Sequence, residues 1–208
     1  MITAGMKKEL YQENLYTAGN HTISESDLIS GCIEGNRLMQ EELYNRFSGK
    51  MYAVCLRYAN NAEDAQDLLQ EGFIKVFSSL HQYRDTGPFE GWIRKIMVNT
   101  ALQRYRTRST IHAIVSLELT QNQPVSANDD VVSTLSTKEL LGLVQELPAA
   151  YRMIFNLYVF EGYQHKEIAA MLGISEGTSK SNLHDARRWL KEKISRENSH
   201  EKIKRLYS

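Results

Sequence analysis

Apolar residues spaced three and four apart, sustained over two long stretches, constrain this 208-residue chain more than any other feature. A period near 3.6 puts such residues on one side of a helix, so the expected fold is all-α: two small helical domains joined by a flexible linker. From Ser24, Leu28, Ile29, Cys32 and Ile33 share one face, and Gly35 is a plausible stop. Leu43, Tyr44, Phe47, Met51, Val54, Cys55 and Tyr58 mark a second helix that Asn60-Asn61 ends. A third, predicted from Glu63 to Leu80, turns Ala65, Leu68, Leu69, Phe73, Val76 and Phe77 inward. Gly87-Pro88 breaks the chain, and Phe89, Trp92, Ile93 and Ile96 open a fourth helix that runs to about Arg106, with Trp92 read as core. The one strand-like signal, a weak one, covers Ile111 to Leu119.

Residues 107 to 133 lose this period and carry Gln121-Asn122-Gln123-Pro124 and Ser126-Ala127-Asn128-Asp129-Asp130, a composition typical of linkers. The expected organisation is a leader over 1–23, a first domain over 24–108, a linker over 109–133, a second domain over 134–195 and a tail over 196–208. Ser136 and Glu139 have capping-box spacing, which begins the second domain, and Pro148 suits a first helical turn. Ile154, Leu157, Tyr158 and Phe160 precede Gly162, and two helices are predicted from Gln164 to Leu172 and from Glu176 to Lys193.

Charge is balanced overall, with 25 basic and 25 acidic residues, so net charge does not point to nucleic acid. Its distribution does. Arg84 to Arg108 holds six basic residues against Asp85 and Glu90, and Lys166 to Arg196 holds seven against four acids, whereas Glu63 to Glu71 carries four acids and no base. Cys32 and Cys55 form no CxxC and no histidine cluster joins them, so no disulfide framework, metal centre or cofactor is expected. The first 24 residues lack the apolar core of a signal peptide and no stretch approaches a membrane span, which predicts a cytoplasmic protein without direct membrane insertion.

Glu167-Ile168-Ala169-Ala170-Met171-Leu172-Gly173-Ile174-Ser175 is the most informative run. Small Ala169 permits close approach of two helices, Gly173 supplies the turn, and Ile168, Leu172, Ile174 and Leu183 hold the pair together, which reads as a helix-turn-helix. Ser175 is an N-cap for the second helix, whose first residues would lie near base edges in the major groove. The expected DNA contacts are Ser175, Thr178, Ser179, Lys180, Ser181 and His184, with Arg187 and Arg188 near phosphates. Ser179 stands where such patterns usually carry a branched apolar residue. A plain helical hairpin with a solvated charged face is the alternative.

Asp67-Leu68-Leu69-Gln70-Glu71-Gly72-Phe73, the run from Phe89 to Ala101 and Gly173-Ile174-Ser175-Glu176-Gly177-Thr178 together resemble the sigma-70 family of RNA polymerase sigma factors, and more narrowly its extracytoplasmic-function group. The resemblance covers about 24–108 and 134–195. It implies regions two and four with region three reduced to a linker, and a protein that is not an enzyme. By the family pattern, Asp67, Gln70 and Glu71 contact core RNA polymerase, through its beta-prime clamp helices, and the beta subunit is a further partner. Lys95, Asn99, Thr100, Gln103, Arg104 and Arg106 match the positions that melt and hold the minus-10 element of promoter DNA, with Asn99 the candidate for an extruded base because its amide both donates and accepts. The helix-turn-helix would then read the minus-35 element. An anti-sigma factor, often membrane-anchored in this group, is implied as a further partner. A stand-alone repressor and a recombinase are the rival readings. The first leaves the basic surroundings of Asn99 without a task, and for the second no catalytic set can be assembled.

Overall fold

The computed structural model describes residues 23–115 and 137–206, and among these every regular element is helical. Helix α1 spans Glu25–Ile33, with the Ser24 hydroxyl accepting from the Asp27 amide at 3.1 Å as its N-cap. Helix α2 spans Arg37–Tyr58 and α3 spans Ala62–Ser79, where Asn61 caps the first turn by accepting from the Asp64 amide at 2.8 Å. A 3-10 turn at Leu80–Gln82 follows, then α4 over Phe89–Val115. The second set comprises α5, Thr137–Glu146; α6, Ala149–Val159; α7, His165–Leu172; and α8, Glu176–Leu206.

Two differences from expectation concern helix ends. Helix α4 continues past Arg106 to Val115, so the first residues of the strand-like signal, Ile111 to Val115, are helical. Their alternation is too short to outweigh the helix already propagating into it, in which each further residue adds a hydrogen bond at little cost. Helix α8 likewise runs beyond Lys193 to Leu206. The leader residues 1–22, most of the predicted linker and Ser136 of the predicted capping box lie outside the described residues.

The chain divides into two compact units, one up to Tyr44 and one from Asn45 onward. In the first, Leu28, Cys32, Met39 and Leu43 are buried, and a Cβ at Gly31 would press on the Met39 side chain at 2.6 Å. In the second, helices from both sides of the predicted linker lie together. Phe73, Val76, Phe89, Ile93 and Met97 are buried between α3 and α4, with Phe47 edge-on to Phe89 at 5.4 Å and Trp92 stacked on Phe89 at 5.7 Å. A Cβ at Gly72 would run into the Met97 sulfur, so the glycine that follows Glu71 lets α3 and α4 approach. Around α6, α7 and α8, Ile154, Leu157, Ile168, Leu183 and Ala186 are buried. Each such Leu, Ile or Phe contributes about 1.5–3 kcal/mol of burial.

Candidate nucleic-acid interface

Helices α7 and α8 meet through a three-residue turn. Gly173 ends α7 with φ +67°, a left-handed conformation that glycine adopts without steric cost. The Ser175 hydroxyl accepts from the Thr178 amide at 2.9 Å and so caps α8, as its position in the motif predicts. At the other end, the Glu167 carboxylate accepts from the Gln164 amide at 2.7 Å. Ile168 and Leu183 close the apolar seam below.

The residues expected on DNA divide into two groups. Ser175, Thr178, Lys180 and Arg187 are exposed, and Ser181, His184 and Arg188 are half-buried. Lys180 pairs with Glu176 at 2.7 Å and Arg188 with Asp185 at 2.9 Å, while the Arg187 guanidinium lies 5.8 Å from the Tyr158 ring centroid. Ser179 is different. It is 0% exposed, and its hydroxyl shares a 3.0 Å hydrogen bond with His165 Nδ1. The expectation that Ser179 touches DNA is corrected on this geometry. The hydroxyl sits at the apolar packing position and is satisfied there by a histidine from α7. That ring stacks on Tyr158, centroids 4.7 Å apart, and burial, then the nearby Lys180 and Arg187 charges, lower its pKa.

On α4, Lys95, Asn99 and Gln103 are exposed and recur four apart, which lines them along one side of the helix. Thr100 is not on that stripe. It is 1% exposed and its hydroxyl donates to the Ile96 carbonyl at 2.8 Å, so its expected DNA contact is also corrected: the side chain is spent inside its own helix. Arg104 is half-buried and donates to Glu71 at 2.6 Å. Arg106 is exposed and its guanidinium donates through Nε to the Met171 carbonyl at 2.7 Å.

Across from α4, helix α3 presents Asp67 and Gln70 to solvent, one turn apart, with Ile74 beside them 70% exposed. Glu71 is partly covered. Burial raises its carboxyl pKa, but hydrogen bonds from Lys75 at 2.8 Å and Arg104 at 2.6 Å outweigh that and hold it below the usual carboxylate range. Asp64, paired with Arg108 at 3.0 Å, is held low in the same way against its own burial.

A third group has no counterpart in the predicted sites. Glu161, just after α6, has 9% of its side chain exposed and faces three donors. Arg94 grips it with Nε at 2.8 Å and a terminal nitrogen at 3.0 Å, while Arg57 and the Tyr58 hydroxyl approach to 3.4 Å. Burial pushes the Tyr58 hydroxyl pKa well up, the Glu161 charge pushes it further, and the same carboxylate raises that of Arg94. Arg152 and Asn156 are buried on α6, four residues apart within an otherwise apolar run. That polar pair on a buried face was the one signal in the sequence, and periodicity gives it no partner.

Two family models match the chain: Sigma-70 region 2 over residues 43–111 and Sigma-70, region 4 over residues 137–190. The RNA polymerase sigma factor CarQ of Myxococcus xanthus is 31% identical over 144 residues, covering 69% of this chain and 82% of that one. The chain belongs to the sigma-70 family. Within it, the relatives that match include extracytoplasmic-function (ECF) sigma factors. The ECF RNA polymerase sigma factor SigE of Mycolicibacterium smegmatis is 32% identical over 164 residues, which is 76% of this chain but 63% of that relative's length. Among solved structures, the sigma factor RpoE in complex with the anti-sigma factor NepR from Bartonella quintana aligns at 19% identity and a TM-score of 0.46, over 74% of this chain and 96% of that one. Proteins of this family are not enzymes, and among the described residues no group of histidine, cysteine and carboxylate side chains is placed to hold a metal. Nor is any described helix long and apolar enough to cross a membrane.

Proposed function

We propose that this chain binds core RNA polymerase and directs it to promoters whose minus-10 element is held by α4 and whose minus-35 element is read by α8. One observation carries the reading beyond family membership. The exposed stripe Lys95, Asn99 and Gln103 lies on the helix packed against α3, whose own outer face offers Asp67, Gln70 and Ile74. A repressor has no use for an acidic face and a base-capturing stripe on one bundle. A sigma factor has a use for both, since docking on the polymerase must leave the strand-holding face open. Lys95 would lie along the backbone of the separated strand and Asn99 would take an extruded base, offsetting part of its unpairing cost of a few kcal/mol. The polymerase performs the catalysis. In the second half, Thr178, Lys180, Ser181 and His184 would face base edges, with Ser175, Arg187 and Arg188 positioned for phosphates.

Glu71 and Arg104 enter this scheme as a pair, each neutralising the other in the free chain, and Arg106 would have to leave the Met171 carbonyl to reach DNA. An anti-sigma factor, such as the one that accompanies RpoE in the solved complex, would act by covering these surfaces. Purified chain and core polymerase should co-elute and give permanganate-reactive thymines at a minus-10 element. A folded chain that fails to associate with core polymerase refutes the reading and leaves the repressor.

A further inference from the structure

Three helices meet at the ring of His165, the first residue of α7. From α6, Tyr158 stacks on it with centroids 4.7 Å apart and planes at 23°, and the same tyrosine ring carries the Arg187 guanidinium of α8 at 5.8 Å. From α8, the buried Ser179 hydroxyl holds Nδ1 at 3.0 Å. Nε2, the other ring nitrogen, has no hydrogen-bond partner among the described residues, and the ring as a whole is half-buried rather than enclosed. The charges that act on it from α8 are Lys180, Arg187 and Glu176, while α6 contributes the Tyr158 phenol. Its own helix adds Lys166 and Glu167, both exposed. His165 therefore stands among Lys180 and Arg187, two exposed cations of the helix expected on DNA.

A neutral imidazole offers one donor and one acceptor, whereas an imidazolium offers two donors. Against an apolar wall, a charged ring would leave its Nδ1 proton without an acceptor, at the desolvation cost of an unmade hydrogen bond. Ser179 removes that obstacle. Its hydroxyl can donate to a bare Nδ1 and accept from a protonated one, so the 3.0 Å contact serves both states of the ring. A branched apolar residue, the usual occupant of this position in helix-turn-helix patterns, serves neither. In the free chain, burial and then the Lys180 and Arg187 charges lower the His165 pKa and favour the neutral ring. A phosphate brought against the same two cations offsets their repulsion and supplies Nε2 with an acceptor, which favours the charged ring instead.

We infer that His165 is a proton-dependent phosphate contact: when duplex DNA seats on α8, the ring takes one proton from solvent and donates from Nε2 to a backbone phosphate and from Nδ1 to Ser179. The inference rests on the DNA-reading role proposed above for α8. The sign of the resulting pH dependence follows from linkage. A group that gains a proton on binding makes binding tighter as pH falls, through the interval between its pKa in the complex and its lower pKa in the free chain. Because a phosphate contact carries no sequence information, acid should raise affinity for all duplexes alike and leave base preference where it was. Ser179 acts through His165 and is a positioning residue; it gives the charged ring its second acceptor without touching DNA.

The test titrates the full chain against a fluorescein-labelled duplex of about 20 base pairs and mixed sequence, which suffices for a phosphate contact, and reads anisotropy at about pH 7.5 and about pH 6. Between the two, wild-type affinity should rise about three- to tenfold more than that of His165→Gln, since moving a pKa by one on binding corresponds to about a tenfold change. The comparison cancels the remaining histidines, His184 included. Ser179→Val, which restores an apolar residue and removes the acceptor, should flatten the profile as His165→Gln does, with helical content checked by circular dichroism. In proton spectra, the ring signal missing from His165→Gln identifies His165, and it should titrate at a higher pH with duplex than without. Parallel pH profiles for wild type and His165→Gln, or a ring that titrates at the same pH in both states, overturns the contact and leaves duplex binding by α8 standing. A folded Ser179→Val with the wild-type profile overturns the positioning role of the serine. Wild type that binds no duplex at either pH overturns the reading role of α8, and this contact with it.

Discussion

At the scale of single residues, the polar groups that matter divide by what already satisfies them. Ser179 and His165 satisfy each other across the helix-turn-helix, so removing the hydroxyl with Ser179→Ala leaves a partly buried ring nitrogen unpaired. The expected loss is about 1–2 kcal/mol of stability in a urea melt, with helical content retained. Titration gives the same pair a second signature. His165 has its pKa lowered by burial and neighbouring cations, so the unfolded chain binds its proton more readily than the folded one. Its contribution is therefore complete above the unfolded value of about 6.5 and declines as pH falls below it, down to the folded value. Thermal melts between pH 7.5 and 5 should show wild type losing more stability than His165→Gln, and parallel curves would remove His165 from the account. Asn99 is the opposite case, exposed on a stripe with Lys95 and Gln103. Asn99→Ala should leave core binding intact, reduce permanganate reactivity at the minus-10 thymines several-fold and be rescued by a premelted template. Equal defects on duplex and premelted DNA would remove its base-capturing role.

At the scale of elements, helices were legible because each has one apolar face. The cap at Ser175, the turn at Gly173 and the inward set of α3 follow from residue type and spacing alone. Helix ends were less legible. The polar sequence after Arg106 gives no stop signal strong enough to end α4, which continues to Val115. Burial of Thr100 was not legible, because a threonine on a basic helix reads as a surface residue, whereas buried Ser179 carried a signal in its place at a position where the helix-turn-helix pattern is usually apolar. Structure also changes which residue best probes the α3 face. Glu71 is tied to Lys75 and Arg104, so reversing its charge would disturb the bundle as well as any partner. Asp67 is exposed, and Asp67→Lys should shift stability by no more than about 0.5 kcal/mol. Core association measured with purified polymerase should nevertheless fall at least tenfold, because a basic partner would then meet like charge. Ile74→Ser, which removes an apolar anchor from the same face, should weaken it as well. Affinity at wild-type level in both variants would move the docking surface away from α3.

At the scale of the whole molecule, sequence separates what structure brings together. The polar run between the two helical stretches reads as a boundary, yet Arg57 and Asn156, or Asn60 and Arg152, meet across about a hundred residues of chain. No periodic signal reports such a contact, since it is made by side chains completing the end of another helix rather than by an apolar face. Arg152 and Asn60 give a direct measure of whether that contact exists when the chain is free in solution. Asn60 also donates to Asp64 from its backbone amide and its side chain, both at 3.0 Å, so Asn60→Ala alone costs stability for reasons unrelated to Arg152. Arg152→Met alone likewise frees the Gln145 carbonyl. A double-mutant cycle removes both complications, because each appears in one single variant and again in the double. If the two sets of helices are joined in the free chain, the residual coupling should be about 1–2 kcal/mol, the range for a hydrogen bond to a charged group. It should shrink in the background of Glu161→Arg, which sets like charge against Arg94 and Arg57 at the other end of the same contact. Urea melts of the four proteins in each background, followed by circular dichroism, supply the measurement. Strict additivity in the wild-type background would mean that the two halves unfold as strangers and that Arg152 is buried only by its own helices.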